Sequence, residues 1–91
     1  MNTPPDRCTL IQQTLVDALQ PLDIVIDDDS HLHAGHAGAR EGGHYTVRLR
    51  CERFAGLSRV ARHRLVYDAL GPLAPLGIHA LAIDARAPNE P

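Results

Sequence analysis

The side chains of residues 45–51 alternate strictly between apolar and polar, and this pattern limits the possible folds more than any other feature of the chain. Successive side chains of a strand point to opposite faces of its sheet, so a period of two predicts a strand with one buried and one polar face. Such a sheet needs a covering layer on its apolar face alone. The residues predicted to face the core are Tyr45, Val47, Leu49 and Cys51.

Two other segments are predicted to be strands. In residues 22–26 the apolar Leu22, Ile24 and Ile26 alternate with Asp23 and Val25, and three consecutive aspartates follow. We expect Leu22, Ile24 and Ile26 to face the core. Residues 78–85 are mostly apolar, which is typical of a strand that is well covered.

A helix is predicted at residues 6–20, where apolar residues recur every three or four positions until Pro21 ends the segment. A second helix is predicted at residues 59–70, because Ser58 is suited to cap its N-terminus and Gly71 to end it. In the second helix we expect an apolar inner face and a polar outer face. The residues expected to point inward are Val60, Ala61, Leu65 and Ala69, with Val66 as a further candidate, and those expected to point outward are Arg59, Arg62 and His63.

The order of these elements is helix, strand, strand, helix, strand. The first two strands are expected to form an antiparallel hairpin, and the helix that joins the second strand to the third is expected to leave those two parallel. The predicted fold is therefore α+β, a three-stranded mixed sheet with both helices packed on one face. We expect one domain over residues 1–91 with an ordered core of about residues 6–86, in which Phe54 fills a core edge and residues 87–91 form a tail.

Composition restricts the classes of function. The net charge is −2 and all nine positive charges are arginines, so the chain has no general attraction to nucleic acid or membranes. Without a secretory signal or an apolar run of about 18 residues, we expect a cytoplasmic protein outside the membrane. Cys8 and Cys51 have no paired spacing and are expected to be reduced thiols. With no nucleophile–base pairing or phosphate-binding glycine loop, we expect no enzymatic activity.

The segment of residues 28–44 contains four of the six histidines and four of the seven glycines, and we expect it to be a surface loop. If the second and third strands are parallel, both begin at the same end of the sheet, and His79 is carried to the end where this loop lies. Imidazoles gathered in this way suit Zn, Fe, Cu or Ni. We expect an incomplete metal site that another protein completes. The histidines of the loop are His31, His33, His36 and His44.

Two motifs resemble the BolA family. The first is F-x-G-x-S-x-x-x-R-H-R-x-V-Y at residues 54–67, and the second is I-H-A-L-A-I at residues 78–83. The likeness extends over about residues 8–88. It implies an α/β sandwich that resembles a class II KH domain, in agreement with the order of elements above.

The resemblance also implies a partner. BolA-like proteins pair with monothiol glutaredoxins and share a [2Fe-2S] cluster, for which the glutaredoxin supplies its cysteine and a glutathione thiolate. The likeness implies His79 as one ligand from this chain and a His or Cys of the loop as the second. The loop has no Cys, so the family pattern implies His33, with His31 and His36 as alternates. No cofactor is expected in the isolated protein, and the implied role is in iron–sulfur cluster assembly, trafficking or iron regulation.

The alternative is a KH-like nucleic-acid-binding transcriptional regulator, with DNA as the partner. Arginines at the start of the second helix and on the second strand are candidates for phosphate contacts. The negative net charge, the absence of lysine and the absence of a G-x-x-G loop weigh against this alternative. The residues proposed for it are Arg59, Arg62, His63 and Arg64, with Arg48 and Arg50.

Overall fold

The computed structural model describes residues 7–29 and 43–91. These residues form the predicted succession of helix, strand, strand, helix and strand. The elements are α1 (Arg7–Leu19), β1 (Asp23–Asp28), β2 (Gly43–Arg50), α2 (Arg59–Leu70) and β3 (Ile78–Arg86), with turns of 3₁₀ helix at Glu52–Phe54 and Ala74–Leu76.

The sheet has the strand order β1-β2-β3, so β2 lies in the centre. β1 runs antiparallel to β2, and β2 runs parallel to β3, which confirms the predicted mixed sheet. The apolar side of β2 is buried against both helices, and its other side forms an open face of the sheet. Thr46 and Arg48 lie on that open face.

The core consists of the apolar face of β2 and the inner faces of the two helices. Phe54 is fully buried, as predicted, and closes one edge of this core. Burial of a large apolar side chain stabilises a fold by about 1.5–3 kcal/mol, so these few residues contribute a large part of the stability of so small a domain. The buried core residues of β2 and the helices are Ile11, Leu15, Leu19, Tyr45, Val47, Leu49, Cys51, Val66 and Leu70.

The predicted inner face of α2 is confirmed in part. Leu65 and Ala69 pack against the core, and Val66, the further candidate, is fully buried together with Leu70. Val60 was assigned wrongly, because its side chain is 68% exposed. Arg62 lies one turn before Val66, on the inward side, and its side chain is only 12% exposed. An arginine at such a position is tolerated because its charge is paired there, as described below. Ser58 and Gly71 do cap the helix as predicted.

Two further sequence expectations were wrong. Leu22, which precedes β1, is 58% exposed. β3 is not well covered, because it is an edge strand and both helices lie on one side of the sheet; His79, Ala80 and Ala82 are exposed.

The segment after β3 is not a free tail. Ala87 is buried, and the Arg50 guanidinium donates hydrogen bonds to the carbonyl oxygens of Ala87 and Pro88, each at 3.2 Å. The Glu90 carboxylate in turn accepts from the Ala87 backbone N–H at 2.8 Å. The core therefore continues one residue beyond the end of the predicted ordered region.

Neither of the two helices found in residues 7–29 and 43–91 has the length and apolar character required to cross a membrane.

Candidate metal centre

His79 lies at an irregularity of the β2–β3 ladder. Gly43 pairs with Ile78, but His44 pairs with Ala80, so β3 carries one extra residue at this point. The extra residue is His79. A β-bulge changes the direction of the side chain it carries, and bulges are common near functional sites.

The bulge also sets which side of β3 faces the core. Ile78 is buried, and the alternation restarts so that Leu81 and Ile83 pack against the core. A regular ladder from Ile78 would have turned Leu81 to the open face. The shift thus keeps apolar residues on the helix side while His79 and Ala80 both remain exposed.

The structure brings His79 beside His44. The centroids of the two imidazole rings are 5.1 Å apart, and the ring planes are inclined by 52°. Together with the parallel pairing, this contact confirms that β2 and β3 begin at the same end of the sheet. The backbone fixes both strands here, through hydrogen bonds from Gly43 N–H to the Gly77 oxygen at 2.8 Å and from Asp29 N–H to the His44 oxygen at 2.7 Å.

A surface hollow of about 320 Å³ adjoins this pair on the open face of the sheet. Thr46 donates a hydrogen bond to the Asp29 carboxylate at 2.5 Å, so a carboxylate is held beside the hollow in a fixed orientation. Within the two described segments, no group of three or more His, Cys, Asp or Glu residues is arranged to hold a metal. The two imidazoles therefore need further ligands from elsewhere. The residues lining the hollow are Asp29, His44, Tyr45, Thr46, Ala80, Leu81 and Ala82.

His31, His33 and His36 lie outside the described residues, and their assignment as ligands remains a prediction. His44 was grouped with the loop histidines, but was not among the ligands proposed from the sequence. The bulge that brings its ring close to His79 has no marker in the sequence. One sequence signal did point to His44 as a neighbour of His79. His44 lies at the very start of β2, and parallel pairing of β2 with β3 places it level with His79.

The residues proposed for nucleic-acid binding lie on another side of the molecule. A groove of about 640 Å³ runs between the start of α2 and β3, and Arg59, Arg62 and His63 line it. The Arg62 guanidinium makes two hydrogen bonds to the Glu90 carboxylate, at 2.5 and 2.8 Å. It also donates to the carbonyl oxygens of Leu57 and Ala85.

The ion pair changes the acidity of Glu90. Hydrogen bonds from Arg62, and secondarily from the Ala87 backbone, lower the pKa of the Glu90 carboxyl from 4.5 to about 2. The same pairing raises the pKa of Arg62. Arg62 thus stabilises the fold and is already paired with a carboxylate, whereas Arg64 is exposed on the helix.

The arginines of β2 are paired with acids on the open face. Arg48 forms an ion pair with Asp27 of β1, and the Arg50 Nε lies 3.9 Å from the Asp23 carboxylate. Arg86 binds Asp84 on β3 at 2.9 Å, which lowers the pKa of the Asp84 carboxyl. Charges of both signs therefore alternate across this face, and it is not a uniformly basic surface.

Comparison with known proteins identifies the family. Residues 15–90 match the family described as BolA-like protein. The chain belongs to the BolA family. A protein of Sinorhizobium sp., known as an uncharacterized protein in the cobS 5′ region, is 42% identical over 84 residues, covering 89% of this BolA-family chain and 90% of that protein.

Solved structures agree with the family assignment. The BolA domain of SufE1 from Arabidopsis thaliana superposes with a TM-score of 0.78 at 38% identity, covering 94% of this chain and 96% of that one.

The chloroplastic protein BOLA1 of the same plant is 37% identical over 89 residues, and the match covers 93% of this chain but only 56% of BOLA1. The DNA-binding transcriptional regulator BolA of Vibrio cholerae is 38% identical over 81 residues, covering 89% of this chain and 74% of the regulator.

Proposed function

We propose that this BolA-family protein is the partner of a monothiol glutaredoxin, with which it shares a [2Fe-2S] cluster for iron–sulfur cluster assembly, trafficking or iron regulation. The observation that supports the proposal most directly is the pair of imidazoles, His44 and His79, 5.1 Å apart at one end of the sheet. Histidine nitrogen is a known ligand of [2Fe-2S] iron. In Rieske centres, two histidines replace two cysteines on one of the two irons.

The composition of the site supports a shared rather than a private cluster. A [2Fe-2S] cluster needs four ligands besides its bridging sulfides, and the described residues offer two imidazoles at this point. Neither Cys8 nor Cys51 is placed to supply one of the two missing ligands as a thiolate beside His44 and His79. Cys51 is buried on the core face of the sheet, and its thiol contacts the Leu19 carbonyl oxygen at 3.2 Å. Cys8 packs against the same core. A partner that brings two thiolates, its own cysteine and glutathione, completes the count.

The proposed ligands from this chain are His79 and a second imidazole from the segment that leads into β2. On the family pattern the second is His33, with His31 and His36 as alternates. Imidazole is neutral where thiolate is negative, so histidine ligands raise the potential of the cluster relative to all-cysteine ligation. They also make the cluster sensitive to protonation near neutral pH. Protonation of an imidazole competes with its bond to iron, so histidine ligands favour release and transfer of the cluster over permanent storage.

Co-expression with a monothiol glutaredoxin tests the proposal. We expect a coloured complex of one chain of each protein, containing two irons and two acid-labile sulfides per heterodimer as a [2Fe-2S] cluster requires. A glutaredoxin whose active-site cysteine is changed to serine is the matched control and should give a colourless preparation. Recovery of both proteins as separate, iron-free species would contradict the proposal.

The alternative function is nucleic-acid binding in transcriptional regulation. The name of the Vibrio cholerae relative favours it. The geometry gives it less support, because Arg62 is paired with Glu90, and Arg48 with Asp27. Steeply salt-dependent binding to duplex DNA that is lost in an Arg59→Ala/Arg64→Ala variant would favour this alternative. Shallow salt dependence and no effect of the double substitution would count against it.

A further inference from the structure

The outer edge of β3 presents main-chain groups beside α2. β3 is an outer strand of the sheet order β1-β2-β3. The Cys51 N–H donates to the Arg86 carbonyl oxygen at 2.9 Å, so the main chain of Arg86, and of every second residue before it as far as the bulge, points toward β2. The main-chain groups of the residues between them, Leu81, Ile83 and Ala85, therefore point away from the sheet. Such an edge is a template for pairing with another extended chain.

Side chains of α2 bind two of the three outward carbonyl groups. The Tyr67 hydroxyl donates to the Leu81 oxygen at 3.4 Å, and the Arg62 guanidinium donates to the Ala85 oxygen at 3.2 Å. Among the described residues, no side chain makes such a contact with the main chain of Ile83. The two contacts lie about 13 Å apart along the strand, which is the length of about four residues of an extended peptide.

The groove beside this edge combines apolar and cationic walls. Its volume is about 640 Å³, within the range of about 300–1,000 Å³ that is usual for ligand sites. Leu57 and Ile83 line it together with Arg59 and His63. A smaller hollow of about 300 Å³ shares His63 with the groove and adds the exposed side chain of Val60. A strand lying here would therefore meet apolar groups and cationic groups along the same helix.

The charge that is left over in the groove is positive. Arg62 and Asp84 are each paired with an opposite charge outside the groove. Arg59 is exposed and has no ion-pair partner within residues 7–29 and 43–91. His63 adds an imidazole that can donate a hydrogen bond. Acidic side chains complement this lining, whereas nucleic acid fits it less well, because its affinity depends on several cations that meet successive phosphates.

We propose that the edge of β3 beside α2 binds an acidic, extended segment of another protein, which is added to the sheet as a strand next to β3. The outward N–H groups of β3 bind its carbonyl oxygens, and Arg59 and His63 bind its acidic side chains. In this mode of recognition the main-chain hydrogen bonds supply affinity and the alternate side chains supply specificity. The inference goes beyond the proposed cluster, because the groove shares no residue with the hollow beside His44.

A fluorescein-labelled heptapeptide in which valine and glutamate alternate tests the proposal on the isolated protein. Valine favours the extended conformation, and the glutamates supply the complementary charge. Fluorescence anisotropy should show saturable binding with a dissociation constant below about 1 mM, whereas a heptapeptide of alternating valine and lysine should bind at least about tenfold more weakly. The absence of saturable binding of the glutamate peptide up to about 1 mM would overturn the proposal.

Variants of the groove test where the acidic side chains bind. Arg59→Ala/His63→Ala should weaken binding of the glutamate peptide at least about tenfold. Neither residue belongs to the buried core, so far-ultraviolet circular dichroism should show an intact fold. Arg53→Ala is the matched control, because Arg53 lies on the 3₁₀ turn before α2 and donates to the Ala18 oxygen. It should leave the affinity unchanged. Equal affinities of the wild type and the double variant would overturn the proposal.

Amide hydrogen exchange, measured by NMR with and without the glutamate peptide, distinguishes strand addition from general attraction of charge. The N–H groups of Leu81, Ile83 and Ala85 should exchange at least about tenfold more slowly in the complex, because they become hydrogen-bonded. The Ile26 N–H is the matched control and should exchange at the same rate. It points to the outer edge of β1, since the Asp29 N–H, an odd number of residues later, points toward β2. Unchanged exchange at Ile83 in the complex would overturn the proposal.

Two other occupants of this edge give distinct results. A single-stranded oligothymidylate that binds more tightly than the glutamate peptide, displaces it and shows steep salt dependence would assign the groove to nucleic acid and overturn the proposal. A concentration-dependent dimer in sedimentation, with the Ile83 N–H already protected in the free protein, would assign the edge to a second copy of this chain and overturn it as well. None of these measurements involves iron, so each outcome leaves the proposed cluster to its own test.

Discussion

Arg62 and Glu90 form a bidentate ion pair that links the segment after β3 to the start of α2. The two hydrogen bonds measure 2.5 and 2.8 Å, and the Arg62 side chain is only 12% exposed. A planar guanidinium matches a carboxylate in this geometry, so the pair fixes orientation as well as charge. The pair explains why an arginine occupies the inward side of the helix.

The first prediction concerns the pH dependence of stability. The pKa of Glu90 is about 2 in the folded protein against an ordinary 4.5, because Arg62 and the Ala87 N–H bind the ionised form. A carboxyl whose folded pKa is lowered stabilises the fold fully above its unfolded pKa, and that contribution is lost as the pH falls from about 4.5 to about 2. Glu90→Gln should therefore lower the free energy of unfolding at pH 7. It should also flatten the acid limb of the profile, that is, the decrease of this free energy as the pH falls below about 4.5. Urea unfolding at pH 7, 4 and 2.5 measures this.

Glu52→Gln is the matched control, because Glu52 is an exposed acid on the 3₁₀ turn before α2. It should leave the pH profile as in the wild type. An acid limb in Glu90→Gln as steep as that of the wild type would contradict the role assigned to the ion pair.

The second prediction tests the burial of Phe54, on the turn before α2, against the exposure of Val60, in the first turn of α2. Phe54 is fully buried and Val60 is 68% exposed. Phe54→Ala should cost about 3–5 kcal/mol of unfolding free energy, which is a large part of the stability of a small domain. Val60→Ala should change it by no more than about 0.5 kcal/mol. Chemical denaturation measures both changes. A loss of more than about 1.5 kcal/mol in Val60→Ala would be too large for a surface substitution, and would show that Val60 does not lie on the exposed face of α2.

The third prediction concerns the turn that leads into β3. Gly77 has φ of 78°, and a Cβ there would lie 2.8 Å from the Arg7 Cζ atom. Gly77→Ala should therefore destabilise the protein by about 1–2 kcal/mol because of the left-handed backbone, whereas the guanidinium end of the flexible Arg7 side chain can move aside at little cost. The effects of Gly77→Ala and Arg7→Ala should therefore be additive in the double variant. Recovery of most of the lost stability on adding Arg7→Ala, in thermal or urea unfolding, would show that the collision and not the backbone is the cause.

The fold could be predicted from the sequence because its signals are local. The alternation at residues 45–51, the caps Ser58 and Gly71 and the handedness of crossovers define the strands, the second helix and the mixed sheet. The inward position of Arg62 in α2 could not be found in this way. Because Arg62 is charged, the sequence pattern predicts it on the outer face of the helix. Its partner Glu90, which allows it to point inward, lies 28 residues later in the chain.

The nearness of His79 to the start of β2 was predictable from the sequence, and the ring contact with His44 was not. Parallel pairing of β2 and β3 is enough to bring His79 to the end of the sheet where His44 begins. The bulge depends on how Ile78 and Leu81 both reach the core, which is a property of packing across three elements and not of any local pattern. The choice among His31, His33 and His36 is still a prediction from the family pattern.

The most direct test of the account is the effect of His79→Ala on the cluster in a complex with a monothiol glutaredoxin. Visible circular dichroism and iron content should be measured on the co-expressed complex of the wild type, His79→Ala and His63→Ala. We predict that His79→Ala loses the cluster or its circular dichroism bands, because one iron loses a ligand, while His63→Ala matches the wild type. A His79→Ala complex with unaltered spectrum and iron content would contradict the central claim.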